Sequence, residues 1–301
     1  MIKLKLIQKM GIIFIIIYLL TIILVGRFLA LNDLWKRASP DESLLNGLLY
    51  KNIEFKGEND IILRGWFVQC PNSIDNRTIF LLHGWLSNRN KLIDRIKLFT
   101  DNGYHVFIYD HRSHGNSDNS LVTYGEGEGY DLIAAVNFAK TIPEINSKKL
   151  VAAGYSLGTG SAIYACFLSK EPLFKAIVLE GAFETSYDVG LKALINRFGS
   201  FFGTFIGDYI FTPGVAIWSL GKFKHSQTAK TIHKINNLPI MIVRGEQDEL
   251  VIKKSADALI ASTNEPKTVW YHSGGHTNAS KLFTKEYIEK VIGFLNSNLL
   301  K

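Results

Sequence analysis

Cysteine is nearly absent from this chain, with Cys70 and Cys166 the only two in 301 residues. Cys70 follows a strand-like run and Cys166 lies among apolar residues, so the pair reads as two buried thiols rather than a disulfide. Neither is a nucleophile candidate, and so few thiols leave the compartment open. A basic domain is missing too. The formal charge is +7, yet residues 1–40 hold Lys3, Lys5, Lys9, Arg27, Lys36 and Arg37 against Asp33 alone, a net +5 that leaves +2 for the other 261 residues. That balance gives no reason to expect a nucleic-acid partner. Internal repeats and low-complexity tracts are also lacking. What remains is a chain that is 47% hydrophobic, enough for one α/β domain of about 250 residues with an appendage.

The appendage is the uncharged run "MGIIFIIIYLLTIILVG" at residues 10–26. As a helix it covers roughly 26 Å at about 1.5 Å per residue, and Lys9 and Arg27 can snorkel to make up a ~30 Å hydrocarbon core. It is longer than the apolar core of a signal peptide, and Phe28 spoils the small-x-small pattern ending at Ala30. Residues 1–31 are therefore expected to be a single-pass membrane anchor and 32–47 a linker. Lys3, Lys5 and Lys9 outweigh Arg27 beside the membrane, which favours an extracytoplasmic catalytic domain, although Lys36 and Arg37 weigh the other way.

From about Leu48 onward strand and helix signals alternate. "IILRGWFVQC", "TIFLLHGW", "YHVFIYDHR", "KLVAAGYS", "KAIVLEGA", "PIMIVRGEQD" and "KTVWYHSG" read as strands, with helical patterns at 91–99, 129–140, 157–168 and 285–299. Such alternation predicts a mostly parallel sheet with helices on both faces, and a site at the carboxyl ends of its strands.

"VAAGYSLGTGSAIYA" places Gly154-Tyr155-Ser156-Leu157-Gly158 where one strand meets its helix, the setting a G-x-S-x-G nucleophile elbow requires. Glycines at 154 and 158 let the chain turn sharply enough to present the Ser156 hydroxyl. A serine capping the helix is the bland alternative. An alcohol needs a base, and the base an orienting carboxylate. Asp248 follows the strand "IMIV" and His276 the next one, in the order Ser, Asp, His. Asp248 is favoured over its neighbours Glu246 and Glu249 and over Glu180, which ends an earlier strand. His276, after Gly274-Gly275, is favoured over His272, which falls inside a strand pattern. The amides of Trp85, in "FLLHGWLSN", and of Leu157 are candidates for an oxyanion hole, with His83 ordering that loop.

"HGW", "GYSLG", "GEQD", "GGH" and "YDHRSHGNSD", the last carrying Asp110, Arg112, Gly115 and Ser117, together resemble the α/β-hydrolase superfamily over roughly residues 52–299. Within it the chain looks like membrane-anchored single-domain serine hydrolases with a prolyl-oligopeptidase-like core. The resemblance implies an α/β-hydrolase fold over 48–301 and a cap inserted at about 184–237. Residues 183–223 hold ten aromatics, and between 198 and 221 the only charge is Asp208. Gly199, Gly203 and Gly207 stand four apart, spacing that lets helices approach closely. Asp208 and Pro213 near the middle argue against a second span, and a helical cap over an apolar pocket is expected.

The expected activity is hydrolysis of a small carboxylic ester, of acyl or lipid-like type, with no cofactor or metal required. A serine peptidase or amidase, or an acyltransferase, would use the same triad. A non-catalytic binding protein on the same fold is the rival from another class.

Overall fold

The computed structural model describes residues 2–31, 39–218 and 226–300. It divides into two compact units: residues 37–189 with 225–301, and residues 1–36 with 190–224. The first part of the predicted linker, at 32–38, and the end of the aromatic-rich stretch, at 219–225, lie outside the described residues.

The larger unit is built on one eight-stranded sheet. Its strands are β1 (Leu49–Lys56), β2 (Ile62–Gln69), β3 (Thr78–Leu82), β4 (His105–Tyr109), β5 (Leu150–Tyr155), β6 (Ile177–Glu180), β7 (Ile240–Gly245) and β8 (Lys267–His272). Their order is β1-β2-β4-β3-β5-β6-β7-β8. β3 to β8 are mutually parallel, while β2 joins β1 and β4 in antiparallel fashion. The seven strand runs read from the sequence all form strands. β1 was not among them: it is an edge strand whose Lys51, Glu54 and Lys56 face solvent, so its apolar signal is one-sided.

Alternation along each strand feeds two cores. Phe80, Leu82, Leu150 and Ala152 point into one, and Ile79, Leu81, Val151 and Ala153 into the other. The helices, in chain order, are α1 (Ile2–Leu31), α2 (Ile93–Asp101), α3 (Glu126–Ala139), α4 (Leu157–Leu168), α5 (Ser186–Phe198), α6 (Ser200–Ile206), α7 (Thr212–Trp218), α8 (Thr228–Ile232), α9 (Lys253–Ser262), α10 (Ala279–Leu282), α11 (Thr284–Tyr287) and α12 (Gly293–Leu299). Apolar residues of α3, α4, α8 and α9 cover the first face, and those of α2, α11 and α12 the second. Layers on both sides of the sheet leave the carboxyl ends of the parallel strands as the place where loops from β3, β5, β7 and β8 converge.

The smaller unit contains α1 and a π-helical turn (Gly207–Phe211) between α6 and α7. In α1, residues Ile7–Arg27 have mean hydropathy 2.5, long and apolar enough to cross a membrane.

Candidate active site

β5 is buried along its whole length and stops at Ser156, whose φ of +53° and ψ of −115° lie outside the regions open to an unstrained side chain. The local packing explains why the chain turns there. A Cβ on Gly154 would strike the carbonyl of Gly158, and one on Gly158 would strike the carbonyl of Leu82 in β3. Glycine at both positions lets α4 fold back directly onto the sheet. The turn is held by the Ser156 amide donating to the Glu180 carbonyl at 2.9 Å, and by the Ser156 carbonyl accepting from the Thr159 amide at 2.8 Å. Ser156 itself remains half-buried.

Asp248 sits three residues past β7 and is buried. Its Oδ1 accepts from the Leu250 and Val251 amides, each at 2.9 Å, and its Oδ2 lies 2.8 Å from Nδ1 of His276. Burial works against its charge, but the hydrogen bond and charge of His276 and the two amides outweigh it and hold the carboxyl below its ordinary value. Glu246 and Glu249 point to solvent. Nε2 of His276 is buried and makes no hydrogen bond to any described residue. His276 also packs on the elbow's neighbouring strand end, since a Cβ on Gly181 would come within 2.8 Å of its ring.

The glycine pair before His276 is not a loose hinge. The Gln247 amide donates to the Gly274 carbonyl at 3.0 Å, and Gly245 is packed so closely against that turn that a Cβ would strike it. His272 closes the same turn by accepting from the Gly274 amide at 3.1 Å, a structural task.

A brace on the far side was not foreseen. Arg95 of α2 donates to the Thr277 carbonyl at 2.6 Å, and Glu180 accepts from the Ala279 amide at 2.9 Å, so the two grip the residues just after His276. The same guanidinium lies 4.1 Å from the ring centre of Tyr155, next to Ser156, and 3.6 Å from Glu180. Glu180, an alternative acid in the sequence, is therefore occupied in holding the loop. Nothing in the sequence distinguishes Arg95 from an ordinary charge on an amphipathic helix.

Gly84 brings the loop after β3 against the elbow, its Cβ position 3.4 Å from Cβ of Ser156. Leu157 is the first residue of α4, where amides have no partner within the helix. Trp85 packs on Tyr124 with ring centres 5.7 Å apart, and the next amide, of Leu86, donates to Nε2 of His114 at 3.1 Å. His83 accepts from the His111 amide at 3.0 Å, which makes it a loop-ordering side chain. Burial pushes His83 down to about 4 and His114 down to about 3. The "DHRSHGNSD" loop is scaffolding: Asp110 takes the Arg89 guanidinium at 2.6 Å, Arg112 pairs with Asp131 at 2.8 Å, and Ser117 donates to the Asp110 carbonyl at 2.6 Å.

A mainly parallel eight-stranded sheet, helices on both faces and a strained serine turn at the end of a central strand define the α/β-hydrolase fold, which this chain adopts. Residues 75–220 match the family described as serine aminopeptidase S33. The chain is similar to protein YfhR of Salmonella typhi, 22% identical over 98% of this chain and 97% of that one. It is also similar to the Saccharomyces cerevisiae membrane protein YNL320W, 28% identical over 48% of this chain and 49% of that one. Among solved structures, the Pyrococcus furiosus esterase Pf2001 superposes with a TM-score of 0.69 and 21% identity, over 87% of this chain and 98% of that one.

Proposed function

We propose that the protein is a membrane-anchored serine hydrolase that cleaves carboxylic esters of acyl type through a covalent acyl-enzyme. Ser156 Oγ attacks the ester carbonyl while Nε2 of His276 takes its proton; Asp248 holds the imidazole with Nδ1–H toward itself and balances the imidazolium that forms. The Trp85 and Leu157 amides receive the oxyanion. The imidazolium protonates the departing alcohol, and water, deprotonated by the same histidine, then releases the acid. The observation that carries this reading is the 2.8 Å contact between Asp248 and His276 beside a serine at φ +53°. The esterase Pf2001 on the same fold agrees with it.

Turnover of short p-nitrophenyl esters is the test. Ser156→Ala is expected to lower kcat by about four or more powers of ten with the fold retained, and ester turnover surviving that change overturns the mechanism. The aminopeptidase family match favours a second reading, cleavage of an N-terminal residue from peptides. Faster release of aminoacyl-arylamides than of esters would establish it.

α1 is read as an uncleaved anchor on the length and hydropathy of Ile7–Arg27, in keeping with the naming of YNL320W as a membrane protein. Lys3, Lys5 and Lys9 favour a start inside the cell and the hydrolase outside. Protease added to intact cells is then expected to digest the hydrolase, and protection until lysis reverses the orientation.

A further inference from the structure

The smaller unit is arranged inside out, and this decides what covers it. Along α6, the π-helical turn and α7, the buried positions are Gly203, Gly207, Phe211 and Gly214, one stripe at helical spacing. Apart from Phe211, the described aromatic side chains point away: Phe201 is 76% exposed, Phe202 63% and Tyr209 56%. α1 follows the same rule. Its covered positions are Tyr18, Thr21, Ile22, Val25 and Gly26, again one stripe, while Phe14 is 73% exposed.

Glycines sit inside because backbones touch there. A Cβ on Gly203 would come within 2.6 Å of the Ile195 backbone in α5, so α5 and α6 form a tight antiparallel hairpin. A Cβ on Gly26 would strike the Gly214 backbone, and one on Gly214 would lie 2.6 Å from the Ile22 carbonyl, so α7 rests directly on α1. This is the small-residue contact by which helices associate where apolar side chains gain nothing from hiding from water.

Pro213, an argument against a second span in the sequence, is accommodated by the same contact. Proline has no N–H, so the carbonyl four residues earlier, that of Tyr209, lacks its helical donor. The Tyr18 hydroxyl of α1 donates to that carbonyl at 2.8 Å. Two residues further back the Gly207 carbonyl takes the Thr212 amide across the π-helical turn and also accepts from the Thr212 hydroxyl at 2.9 Å, so the proline frees no acceptor there. Backbone groups freed by a proline need such partners only where water cannot serve.

We infer that residues 190–218 are a membrane-embedded helical hairpin that packs on α1, with Phe201, Phe202, Phe205 and Tyr209 facing lipid. The inference rests on the reading of α1 as a membrane helix. The 19 residues 200–218 reach about 28 Å at about 1.5 Å per residue. Counted from the Tyr18–Tyr209 contact in parallel, they run level with α1 from about Lys9 to about Arg27. Their outward apolar surface continues that of α1, and their one charge, Asp208, is not without a partner; the α5 arm of the hairpin adds Arg197, exposed beside the hairpin tip, and Lys192, half-buried, long side chains able to carry their charge toward an interface.

The test is labelling of single cysteines by a membrane-impermeant maleimide, with the full chain in native membranes opened so that both faces are reached and the label on the unsubstituted chain subtracted. Ile252→Cys, on an exposed residue of the larger unit, is expected to react at once, whereas Phe14→Cys and Phe205→Cys react only after detergent. Phe205→Cys reacting without detergent while Phe14→Cys stays protected overturns the hairpin and leaves the anchor standing. Both reacting overturns the anchor reading itself. Phe205→Cys silent even in detergent shows protein cover and also overturns the hairpin. Adding Tyr18→Phe is expected to raise the Phe205→Cys signal several-fold with Phe14→Cys unmoved, and an unchanged signal contradicts the role given to that hydroxyl.

Discussion

The two units handle aromatic side chains in opposite ways. In the hydrolase unit Phe67, Phe80, Phe99 and Phe107 have no exposed surface, and strained or charged groups are fixed by dense hydrogen bonding. In the smaller unit Gly26, Gly203, Gly207 and Gly214 are covered beside Phe211, while Phe198, Phe201, Phe202 and Phe205 are exposed. Hydrophobic burial organises a fold only where water is the alternative; the opposite pattern is the one expected where the solvent is itself apolar. One chain can therefore carry both patterns, and each indicates the medium for which its unit is built.

The hydrolase side of this contrast is most sharply tested at its buried carboxylate. Asp248→Asn is expected to cost roughly 10⁴ in kcat by stabilising the wrong imidazole tautomer, whereas Glu246→Gln, at an exposed position, stays within a few-fold. Steady-state kinetics on the two variants checks this, and an exchange of the two results would remove Asp248 from its role.

A smaller effect is expected from the brace. Arg95→Met releases the Thr277 carbonyl and unseats Glu180, and a displacement of His276 by about 1 Å costs up to about 10²-fold in rate. Corrected for the folded fraction, kcat should fall about 10- to 100-fold with KM little changed, and the pH dependence of kcat should shift. A loss of folded protein with normal kcat per folded molecule would reduce Arg95 to a stability role.

The smallest effect concerns acid. His83 and His114 are held down to about 4 and about 3 by burial, against about 6.5 in an unfolded chain. Below pH 6.5 the unfolded chain takes up protons that the folded one refuses, so stability is full above 6.5 and falls progressively toward pH 4 and 3. Urea midpoints measured across that range should decline with acidity and decline less steeply in His114→Gln. A flat profile in the parent protein would contradict the burial of these rings.

Most of the hydrolase unit was legible in the sequence because its signals are local. Fully buried strands read as short apolar runs, and a serine between glycines at a strand end announces the elbow. Asp248 and His276 were chosen by their place after successive strands, and the structure brings these two together at 2.8 Å. Arg95 and Glu180 were not found as a pair, because they meet across 85 positions of sequence. The smaller unit was half legible. Glycine spacing pointed to close helices, but Pro213 read as a break, since its remedy is a hydroxyl on Tyr18, about 190 residues away in the chain.

The central claim, that Ser156 is the nucleophile of a serine hydrolase, is tested most directly by treating the full-length protein in membranes with a fluorophosphonate and mapping the adduct by peptide mass spectrometry. One stoichiometric adduct on Ser156 is expected, absent in Ser156→Ala and strongly slowed in His276→Ala. An unlabelled parent protein that nevertheless hydrolyses esters, or an adduct on another residue, would contradict it.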